Sequence, residues 1–498
     1  MATRERERDA ASIGDRIGDR SQYGNGCHIF PRGILSHSPT VLRLLILGLD
    51  CVPPSLMFER CRGVMPNLAA LMERGMHGPL RSCEPPITVP AWACMTSGRD
   101  AGELGLYGFR NRVSGEYGLR TADSRDVRVK RVWDYLGDAG HRVAPLFVPL
   151  TYPPTPVRGV MASCFLTPEG APFTFPRGLG AELEARHGPY HADVRDFRTE
   201  DLARIWAELH AMAVQHIDMA RDVLARFDPA FMMMVEMGPD RFHHAFFADF
   251  DDAHPLRRAD SPYADAPERY YAFLDTQLGR LLADVPDDCT IMVVSDHGAK
   301  SMQGGFCLND WLRGNGWLSH DPLPSGPVAL REAGVRWRET RAWAEGGYYA
   351  RIFLNVQGRE PEGCVPAADY ERTRDALIEA LATVRRPDGR PFPIRAEKPE
   401  QRYRAARGEP PDLMLYLDDL DHRALATVGH DALFRTSNDG GPDGCNHDWD
   451  GVLVMAGPGI PTGRRIEGAT LLDVTPTALG RFGLRVEGLA GRDLLHGV

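Results

Sequence analysis

Four short apolar runs are the feature of this sequence that most restricts its fold. Each has the length of a β-strand and is nearly continuously apolar, as parallel strands covered on both faces are. Segments with helical spacing lie between them, among them 66–76, 204–227 and 266–285. Strands that alternate with helices predict an α/β fold with a doubly wound, mostly parallel central sheet and helices on both faces. The four runs are VLRLLILGL (41–49), AFMMMVEM (230–237), CTIMVVS (289–295) and GVLVMAG (451–457).

An aspartate follows three of these runs within a few residues. Asp50 comes after the first run, Asp240 after the second and Asp296 after the third. Ligands of open α/β sheets bind outside the carboxyl ends of the strands. We therefore expect these three carboxylates, from distant parts of the chain, to meet at one edge of the sheet.

A histidine lies beside the second of these acids. In GPDRFHH (238–244), Asp240 and His244 are four residues apart, so a helix that starts here places both on one face. A carboxylate and an imidazole on one face suit Zn²⁺ or a similar divalent ion. His243 is the alternative ligand, but the spacing favours His244. Taken alone, such a pair is more often a coincidence on a helix surface.

The third acid stands in VVSDHG (293–298), where Asp296 and His297 are adjacent. Two adjacent ligands at the end of a buried strand require a tight turn, which Gly298 permits. The simpler interpretation is that Asp296 caps a helix and that His297 faces solvent.

A further histidine precedes the fourth run, in CNHDWDG (445–451). We expect His447 to lie in a loop, so the rule about strand ends fixes its position less firmly. Asp448 and Asp450 are alternative ligands in the same segment.

A hydroxyl completes the set of candidates. In PPITVPAW (85–92), Thr88 stands two residues before Pro90, a pattern typical of a helix N-terminus. Thr88 either caps that helix and does nothing more, or uses the free N–H groups and the positive end of the helix dipole. A hydroxyl in that position that also contacts a metal ion loses its proton more readily and can attack phosphorus.

These residues together provide ligands for two metal ions, which we expect about 4 Å apart. Three carboxylates and two divalent ions leave the site net positive, and such a site suits a phosphate. One set is Asp50, Asp296 and His297, completed by Thr88; the other is Asp240, His244 and His447.

The composition limits the other classes of function. The net charge of −10 over 498 residues argues against nucleic acid as a partner, and no apolar run approaches the roughly 18 residues of a membrane span. The ten cysteines are scattered without a C-x-x-C pair, which indicates reduced thiols and a cytoplasmic protein. The first residues, MATRERERDAASIGDRIGDR, contain no apolar core of a secretory signal. We interpret 1–40 as a flexible N-terminal extension.

A change in composition predicts the domain organisation. The stretch 305–440 is richer in proline, glycine and charge, with one strand-like segment (350–356) and one helix-like segment (369–384). We predict that it is a smaller lobe inserted into a catalytic core formed by 41–304 and 441–498, where it shapes access to the site.

The sequence resembles the alkaline phosphatase superfamily, and within it the type I phosphodiesterase/nucleotide pyrophosphatase branch. The resemblance is closest to a group described as predicted phosphohydrolases or phosphomutases. It follows the order of the family over nearly the whole chain after residue 40. The matching stretches are LLILGLD (44–50), PNLAALMERG (66–75), ITVPAWACMTSGRDAGELGLYGF (87–109), VPLTYPPTPVRGVMASCFLTP (148–168), PDRFHHAFF (239–247), VVSDHG (293–298), FLNVQGREPEG (353–363), PDLMLYL (411–417), DGVLVMAGPGI (450–460) and LLDVTPTALGRFGL (471–484).

The resemblance implies a role for each candidate. Thr88 matches the threonine nucleophile of the family, and the two sets of three residues match the ligands of its two zinc ions. The sulfatase branch carries a cysteine in a C-x-P-S-R setting, whereas Thr88 is followed by V-P-A-W, so a sulfatase is disfavoured. One departure is Leu104 in G-E-L-G, where relatives often carry histidine; it removes no expected ligand but alters the surroundings of the site.

The expected function is metal-dependent hydrolysis of a small-molecule phosphate mono- or diester through a phosphothreonine intermediate. The expected cofactors are two divalent ions, Zn²⁺ first, with Mn²⁺ or Mg²⁺ as alternatives. Three other functions stay open: a phosphomutase, a nucleotide pyrophosphatase, and a phosphate-binding protein without catalysis. We expect no nucleic acid and no membrane as partners.

Overall fold

The structure is a computed structural model that describes residues 41–323 and 326–496. The predicted extension 1–40 lies outside the described residues. The described residues form one compact unit.

The strands are numbered in chain order. They are β1 (Leu44–Leu49), β2 (Gly75–Arg81), β3 (Arg110–Arg112), β4 (Leu119–Thr121), β5 (Val143–Leu146), β6 (Met161–Ala162), β7 (Thr174–Phe175), β8 (Phe231–Glu236), β9 (Thr290–Val294), β10 (Gly298–Ser301), β11 (Gly304–Cys307), β12 (Ala342–Glu345), β13 (Ala350–Leu354), β14 (Ile394–Glu397), β15 (Leu413–Leu417), β16 (His422–Leu425), β17 (Phe434–Arg435), β18 (Cys445–Asp448), β19 (Asp450–Ala456), β20 (Arg464–Arg465) and β21 (Ala469–Thr470).

Four of the α-helices lie where the sequence predicts helical segments, at 66–76, 204–227, 266–285 and 369–384. Within the described ranges, no helix is long and apolar enough to cross a membrane. The helices are α1 (Pro66–Glu73), α2 (Thr88–Ser97), α3 (Ala101–Leu104), α4 (Val132–Asp138), α5 (Leu179–His187), α6 (Leu202–Phe227), α7 (Gly238–Phe250), α8 (Ala266–Leu282), α9 (Leu308–Gly314), α10 (Tyr370–Ala382), α11 (Pro399–Arg402) and α12 (Val474–Gly480).

The predicted mostly parallel central sheet is confirmed. Its strand order is β20-β2-β19-β9-β1-β8-β5-β6-β7, with β21 also paired to β2. Strand β1 runs parallel to both β8 and β9, and β8 runs parallel to β5. The carboxyl ends of these central strands therefore lie at one edge.

The fourth apolar run forms a strand, but the prediction that it is parallel is wrong. Strand β19 pairs antiparallel with both β9 and β2. The reason is that the chain enters β19 from the edge where the parallel strands end. Residues that precede β19, including His447, therefore lie at the same edge as residues that follow β1, β8 and β9.

Alternate residues of each central strand face opposite sides of the sheet, and both faces are buried. On one face, Leu45 and Leu47 pack in a cluster with side chains of α1, α6, α7 and α8. On the other face, Leu44 and Ile46 pack with side chains of α2, α4 and α12. This arrangement explains why the runs are nearly continuously apolar.

The stretch 305–440 has its own sheets and its own hydrophobic cluster. A four-stranded sheet has the order β12-β13-β15-β14, and a three-stranded sheet has the order β16-β11-β17. Trp343, Phe353 and Leu415 belong to the apolar cluster that covers the first of these sheets. The division into lobe and core stays a prediction.

Candidate metal centre

Asp50 follows β1 directly and is fully buried. The indole N–H of Trp92 donates a hydrogen bond of 2.6 Å to Asp50 Oδ2. The Trp92 ring lies against β1 where Gly48 leaves room, since a Cβ on Gly48 would lie 2.5 Å from Trp92 Cη2. Asp50 Oδ1 has no hydrogen-bond partner. One oxygen of the carboxylate is thus fixed and the other is free.

Asp296 and His297 lie in the turn between β9 and β10. The backbone N–H of Cys51 donates to Asp296 Oδ1 at 3.2 Å, and Asp296 Oδ2 is buried without a hydrogen-bond partner. Gly298 follows this turn, and glycine is needed there because a Cβ would lie 2.3 Å from the Asp450 carbonyl oxygen.

His447 lies in a strand and not in the loop that we expected. Strand β18 pairs antiparallel with β10, and this register sets His447 opposite Ala299, two residues after His297. The His447 and His297 rings stack with centroids 3.8 Å apart. The backbone hydrogen bonds of this short ladder, invisible in the sequence, bring His447 to the edge where Asp296 lies.

Asp240 and His244 lie on one face of α7, as the spacing predicts. Arg241 Nη1 donates to Asp240 Oδ2 at 2.5 Å, while Asp240 Oδ1 has no hydrogen-bond partner. His244 Nε2 lies 3.2 Å from Asp240 Oδ1, and His447 Nε2 lies 3.8 Å from the same oxygen.

Two groups of ligand atoms result, which we call triplet A (Asp50, Asp296, His297) and triplet B (Asp240, His244, His447). Within each triplet, the ligand atoms lie within 4.8 Å of one another, and all six residues are buried. In triplet A, His297 Nε2 lies 3.1 Å from Asp296 Oδ2 and 3.8 Å from Asp50 Oδ1.

The three histidines are held in the same way, by a hydrogen bond at Nδ1. The acceptors are the Gly298 carbonyl for His297 at 3.1 Å, the Asp443 carboxylate for His244 at 2.8 Å and the Pro86 carbonyl for His447 at 2.7 Å. An acceptor at Nδ1 fixes the proton there and leaves the Nε2 lone pair free for a metal ion.

Burial opposes the charge of triplet A. Burial, and then the negative charges of Asp296 and Asp240, raise the pKa of Asp50 well above its ordinary value. Burial also lowers the pKa of His297, but Asp296, Asp50 and Asp240 outweigh it and raise that pKa to about 9. Buried carboxylates in such proximity can be ionised together only when a cation compensates their charge.

In triplet B the local charges keep the carboxylate ionised. Burial tends to raise the pKa of Asp240, but the charges of His244 and Arg241 hold it well below its ordinary value. Burial and the nearby charge of His297 hold the pKa of His447 well below its ordinary value, which keeps that ring neutral. A neutral imidazole is the form that binds a metal ion.

Thr88 is the first residue of α2 and not its cap; the cap position is Ile87, and no side chain there caps the helix. The interpretation of Thr88 as only a helix cap is therefore wrong. Thr88 is buried, and its Oγ1 lies 3.3 Å from His297 Nε2, beside triplet A.

The residues present fit a pair of metal ions. Four buried ligand atoms have no hydrogen-bond partner, although buried polar atoms nearly always have one. They are Asp50 Oδ1, Asp240 Oδ1, Asp296 Oδ2 and His447 Nε2. All four face into the two triplets, and the other atoms of these side chains are held by the protein.

Comparison with known families agrees with this chemistry. The model of the family "Type I phosphodiesterase / nucleotide pyrophosphatase" matches residues 44–445, most of the chain. The protein belongs to the type I phosphodiesterase/nucleotide pyrophosphatase family. As a member of this family of metalloenzymes, it is a hydrolase that acts on phosphoester bonds.

Solved structures show the same fold at low identity. Human ectonucleotide pyrophosphatase/phosphodiesterase 5 is 13% identical, with 90% of this chain and 97% of that chain covered and a TM-score of 0.52. Phosphonoacetate hydrolase from Sinorhizobium meliloti 1021, in complex with phosphonoformate, is 15% identical, with 89% and 96% covered and a TM-score of 0.55. An inactive threonine-to-alanine form of the murine phosphodiesterase 5 protein, in complex with AMP, is 12% identical, with 90% and 97% covered and a TM-score of 0.54. No curated protein sequence matches the chain.

The alternative ligands lie outside both triplets. His243 belongs to neither triplet, and its Nε2 forms a hydrogen bond of 3.2 Å with the Tyr271 hydroxyl. Asp448 Oδ1 accepts from the backbone N–H of Trp449 at 2.8 Å, and the half-exposed Asp450 lies near Arg81.

Three residues at this candidate site were not foreseen. Trp92 holds Asp50, Asp443 holds His244, and the hydroxyl of Tyr348 lies 3.1 Å from His244 Nε2. Trp92 stands in the quoted T-V-P-A-W motif, which is the one signal that could have pointed to it. Asp443 and Tyr348 reach the site only through the tertiary fold.

Proposed function

We propose that this enzyme hydrolyses a small-molecule phosphate ester through a phosphorylated Thr88, with two Zn²⁺ ions held by triplets A and B. The observation that carries the proposal is the convergence of four buried, unpartnered ligand atoms in triplets A and B, with the Thr88 hydroxyl beside His297 of triplet A. The oxygen and nitrogen donors, three from each triplet, match catalytic zinc, which leaves a position open for substrate. Mn²⁺ and Mg²⁺ are the alternative ions, and metal analysis must distinguish them from Zn²⁺.

Thr88 is set up to act as the nucleophile. Its hydroxyl lies at the first residue of α2, where free backbone N–H groups and the helix dipole favour negative charge. The bound ions would neutralise the phosphate oxygens and favour the deprotonated forms of the hydroxyl and of the attacking water. The hydroxyl lies 3.3 Å from His297 Nε2, so an ion held by triplet A would lie beside the attacking oxygen.

The reaction has two displacements. In the first, the bond from Thr88 Oγ1 to phosphorus forms, the bond to the leaving oxygen breaks, and the proton lost by Thr88 is recovered by the leaving alcohol. In the second, water attacks phosphorus, the bond to Thr88 breaks, and Thr88 regains a proton. Positioning and charge neutralisation supply most of the rate.

The substrate is proposed to be small, and the stretch 305–440 is proposed to be the lobe that shapes access to it. Two of the similar structures hold AMP and phosphonoformate, both small phosphorus-containing ligands. The stretch contributes Tyr348 directly beside triplet B. We also propose a cytoplasmic location, because the nine cysteines of the described residues are free thiols.

The test is a comparison of Thr88→Ala with Thr88→Ser. We expect Thr88→Ala to lose at least about 10³-fold in turnover because it lacks the attacking oxygen, with both ions retained. Thr88→Ser retains the hydroxyl and should remain active. Metal content by elemental analysis, turnover on phosphate mono- and diesters, and mass spectrometry of acid-quenched protein would be measured.

Each outcome separates one part of the proposal. Unchanged turnover in Thr88→Ala would show that Thr88 is not the nucleophile. A phosphoryl group that returns to a second hydroxyl of the substrate, with no phosphate released, would favour the phosphomutase. Wild-type protein that binds no stoichiometric metal would refute the two-ion site.

A further inference from the structure

The hydroxyl of Tyr348 occupies a position that the chemistry described so far does not use. It lies 3.1 Å from His244 Nε2, the atom that triplet B offers to its ion. His244 Nδ1 is already bound to Asp443, so Nε2 is the ring nitrogen that shares a hydrogen bond with the Tyr348 hydroxyl. His244 Nε2 cannot keep this hydrogen bond and bind an ion at the same time. Metal binding therefore releases the hydroxyl beside triplet B.

The position of Tyr348 is fixed from several sides. Its ring stacks on His447 with centroids 3.6 Å apart and planes 18° from parallel. The Arg423 guanidinium lies over the ring, 4.5 Å from its centroid, and Arg198 Nη2 donates to the phenolic oxygen at 3.4 Å. Both arginines also bind Asp443, the residue that holds His244.

The backbone also holds Tyr348 in place. The turn between β12 and β13 carries two glycines before Tyr348, and Gly347 pairs with Ala424 of β16 through hydrogen bonds of 2.9 and 3.0 Å. A Cβ on Gly346 would lie 2.2 Å from the Ala424 carbonyl oxygen. The close approach of this turn to β16 therefore requires glycine and directs the following tyrosine toward triplet B.

The geometry of the site defines which oxygen of the substrate Tyr348 faces. Thr88 lies beside His297 in triplet A. The His447 ring stacks on His297 and also on Tyr348, so the phenol lies at the triplet B end of a row of three rings. In-line displacement puts the attacking and leaving oxygens on opposite sides of phosphorus. Attack from Thr88 therefore points the leaving oxygen toward triplet B.

We infer that Tyr348 is a catalytic residue that donates a hydrogen bond to the leaving oxygen of the phosphate ester. The inference rests on the proposed function. The hydroxyl gives a hydrogen bond and transfers no proton in this role. The bond strengthens as negative charge develops on the leaving oxygen, so it stabilises the transition state more than the bound substrate. Arg198 acts as a positioning residue, because it holds the phenolic oxygen.

The experiment compares wild type with Tyr348→Phe on a series of substituted phenyl phosphates whose leaving phenols differ in pKa. We expect the variant to lose about 10–10²-fold in kcat/KM. The loss should be larger for phenols of high pKa, which carry more negative charge when they leave, so the dependence on leaving-group pKa becomes steeper. A merely structural role would lower kcat/KM for all substrates by the same factor.

A second measurement does not depend on turnover. Metal-free Tyr348→Phe should bind two Zn²⁺ ions, with one of them held about twofold to tenfold more tightly than in wild type, because no phenol competes for His244 Nε2. The matched control is Tyr349→Phe, which also loses a buried hydroxyl, one that donates to the Tyr107 carbonyl and not to a ligand. This control should leave both the leaving-group dependence and the Zn²⁺ affinity unchanged.

The outcomes distinguish the role of Tyr348 from the proposed function on which it rests. Wild-type turnover of phenyl phosphates that needs Thr88, together with an unchanged slope and unchanged Zn²⁺ affinity in Tyr348→Phe, would overturn the role of Tyr348 alone. Wild-type protein without turnover of any phosphate ester would overturn the proposed function and with it this inference. A steeper dependence of kcat/KM on leaving-group pKa in Tyr348→Phe, together with tighter Zn²⁺ binding, would establish both the proposed function and the role of Tyr348.

Discussion

Asp443 illustrates how single residues outside the ligand set determine the properties of the site. It is buried, its Oδ1 accepts from His244 Nδ1, and its Oδ2 accepts from Arg423 at 2.8 Å and from Arg198 at 3.0 Å. Arg423 and His244 hold the pKa of Asp443 well below its ordinary value despite burial, so it stays ionised. Asp443 thereby fixes both the tautomer and the direction of His244.

We expect Asp443→Asn to weaken Zn²⁺ binding at triplet B by about 10–10²-fold and to leave triplet A unchanged. The amide is a weaker acceptor for His244, and its N–H₂ group faces two guanidinium groups. Titration of metal-free protein with Zn²⁺ should then show one tight and one weakened ion. The matched control is Asp412→Asn, a buried carboxylate paired with Arg359 outside both triplets. Equal weakening of both ions in Asp443→Asn would contradict this assignment.

At the scale of elements, the antiparallel pair of β18 and β10 determines whether the site forms. The turn that carries Asp296 and His297 approaches β19 closely, and Gly298 makes this possible. We expect Gly298→Ala to destabilise the fold by about 1–3 kcal/mol, because its Cβ would lie 2.3 Å from a backbone oxygen that cannot move aside as a side chain can. The shift of the turn should also lower Zn²⁺ affinity.

Thermal unfolding and Zn²⁺ titration would measure both effects. Gly314→Ala, in the last turn of α9, is the matched control, since its Cβ would meet no atom within 4 Å. We expect that control to be neutral or slightly stabilising. Normal stability and normal Zn²⁺ affinity in Gly298→Ala would show that the close approach is not required.

The elements that the sequence predicts best are those whose signal is local. The apolar runs became β1, β8, β9 and β19, and the aspartates that follow the first three lie at one edge as the strand-end rule requires. The direction of β19 and the strand that contains His447 were not predictable, because both depend on pairing between segments about 150 residues apart. Asp443 and Tyr348 were missed for the same reason, since no local pattern marks a residue that supports a ligand across the fold.

At the scale of the whole molecule, the site links folding, metal binding and pH. The pKa of His297 is about 9 in the metal-free fold, above the value of roughly 6.5 expected when the chain is unfolded. Its protonation therefore stabilises the metal-free fold fully below about pH 6.5, and this contribution is lost as the pH rises toward 9. The raised pKa values of Asp50 and of His244 act in the same direction.

Metal binding has the opposite dependence on pH, because an ion must displace the proton of His297. We expect Zn²⁺ affinity to increase from pH 6.5 to about 9, by up to roughly tenfold per pH unit for each displaced proton. Since a ligand that binds only the folded chain stabilises it, the difference in Tm between Zn²⁺-loaded and stripped protein should widen over the same range. Unfolding scans at a buffered free Zn²⁺ concentration, with chelator-treated protein as the reference, would measure this difference. A difference in Tm that stays constant or narrows as the pH rises would contradict a protonated His297 in the empty site, and with it the charge balance derived for triplet A.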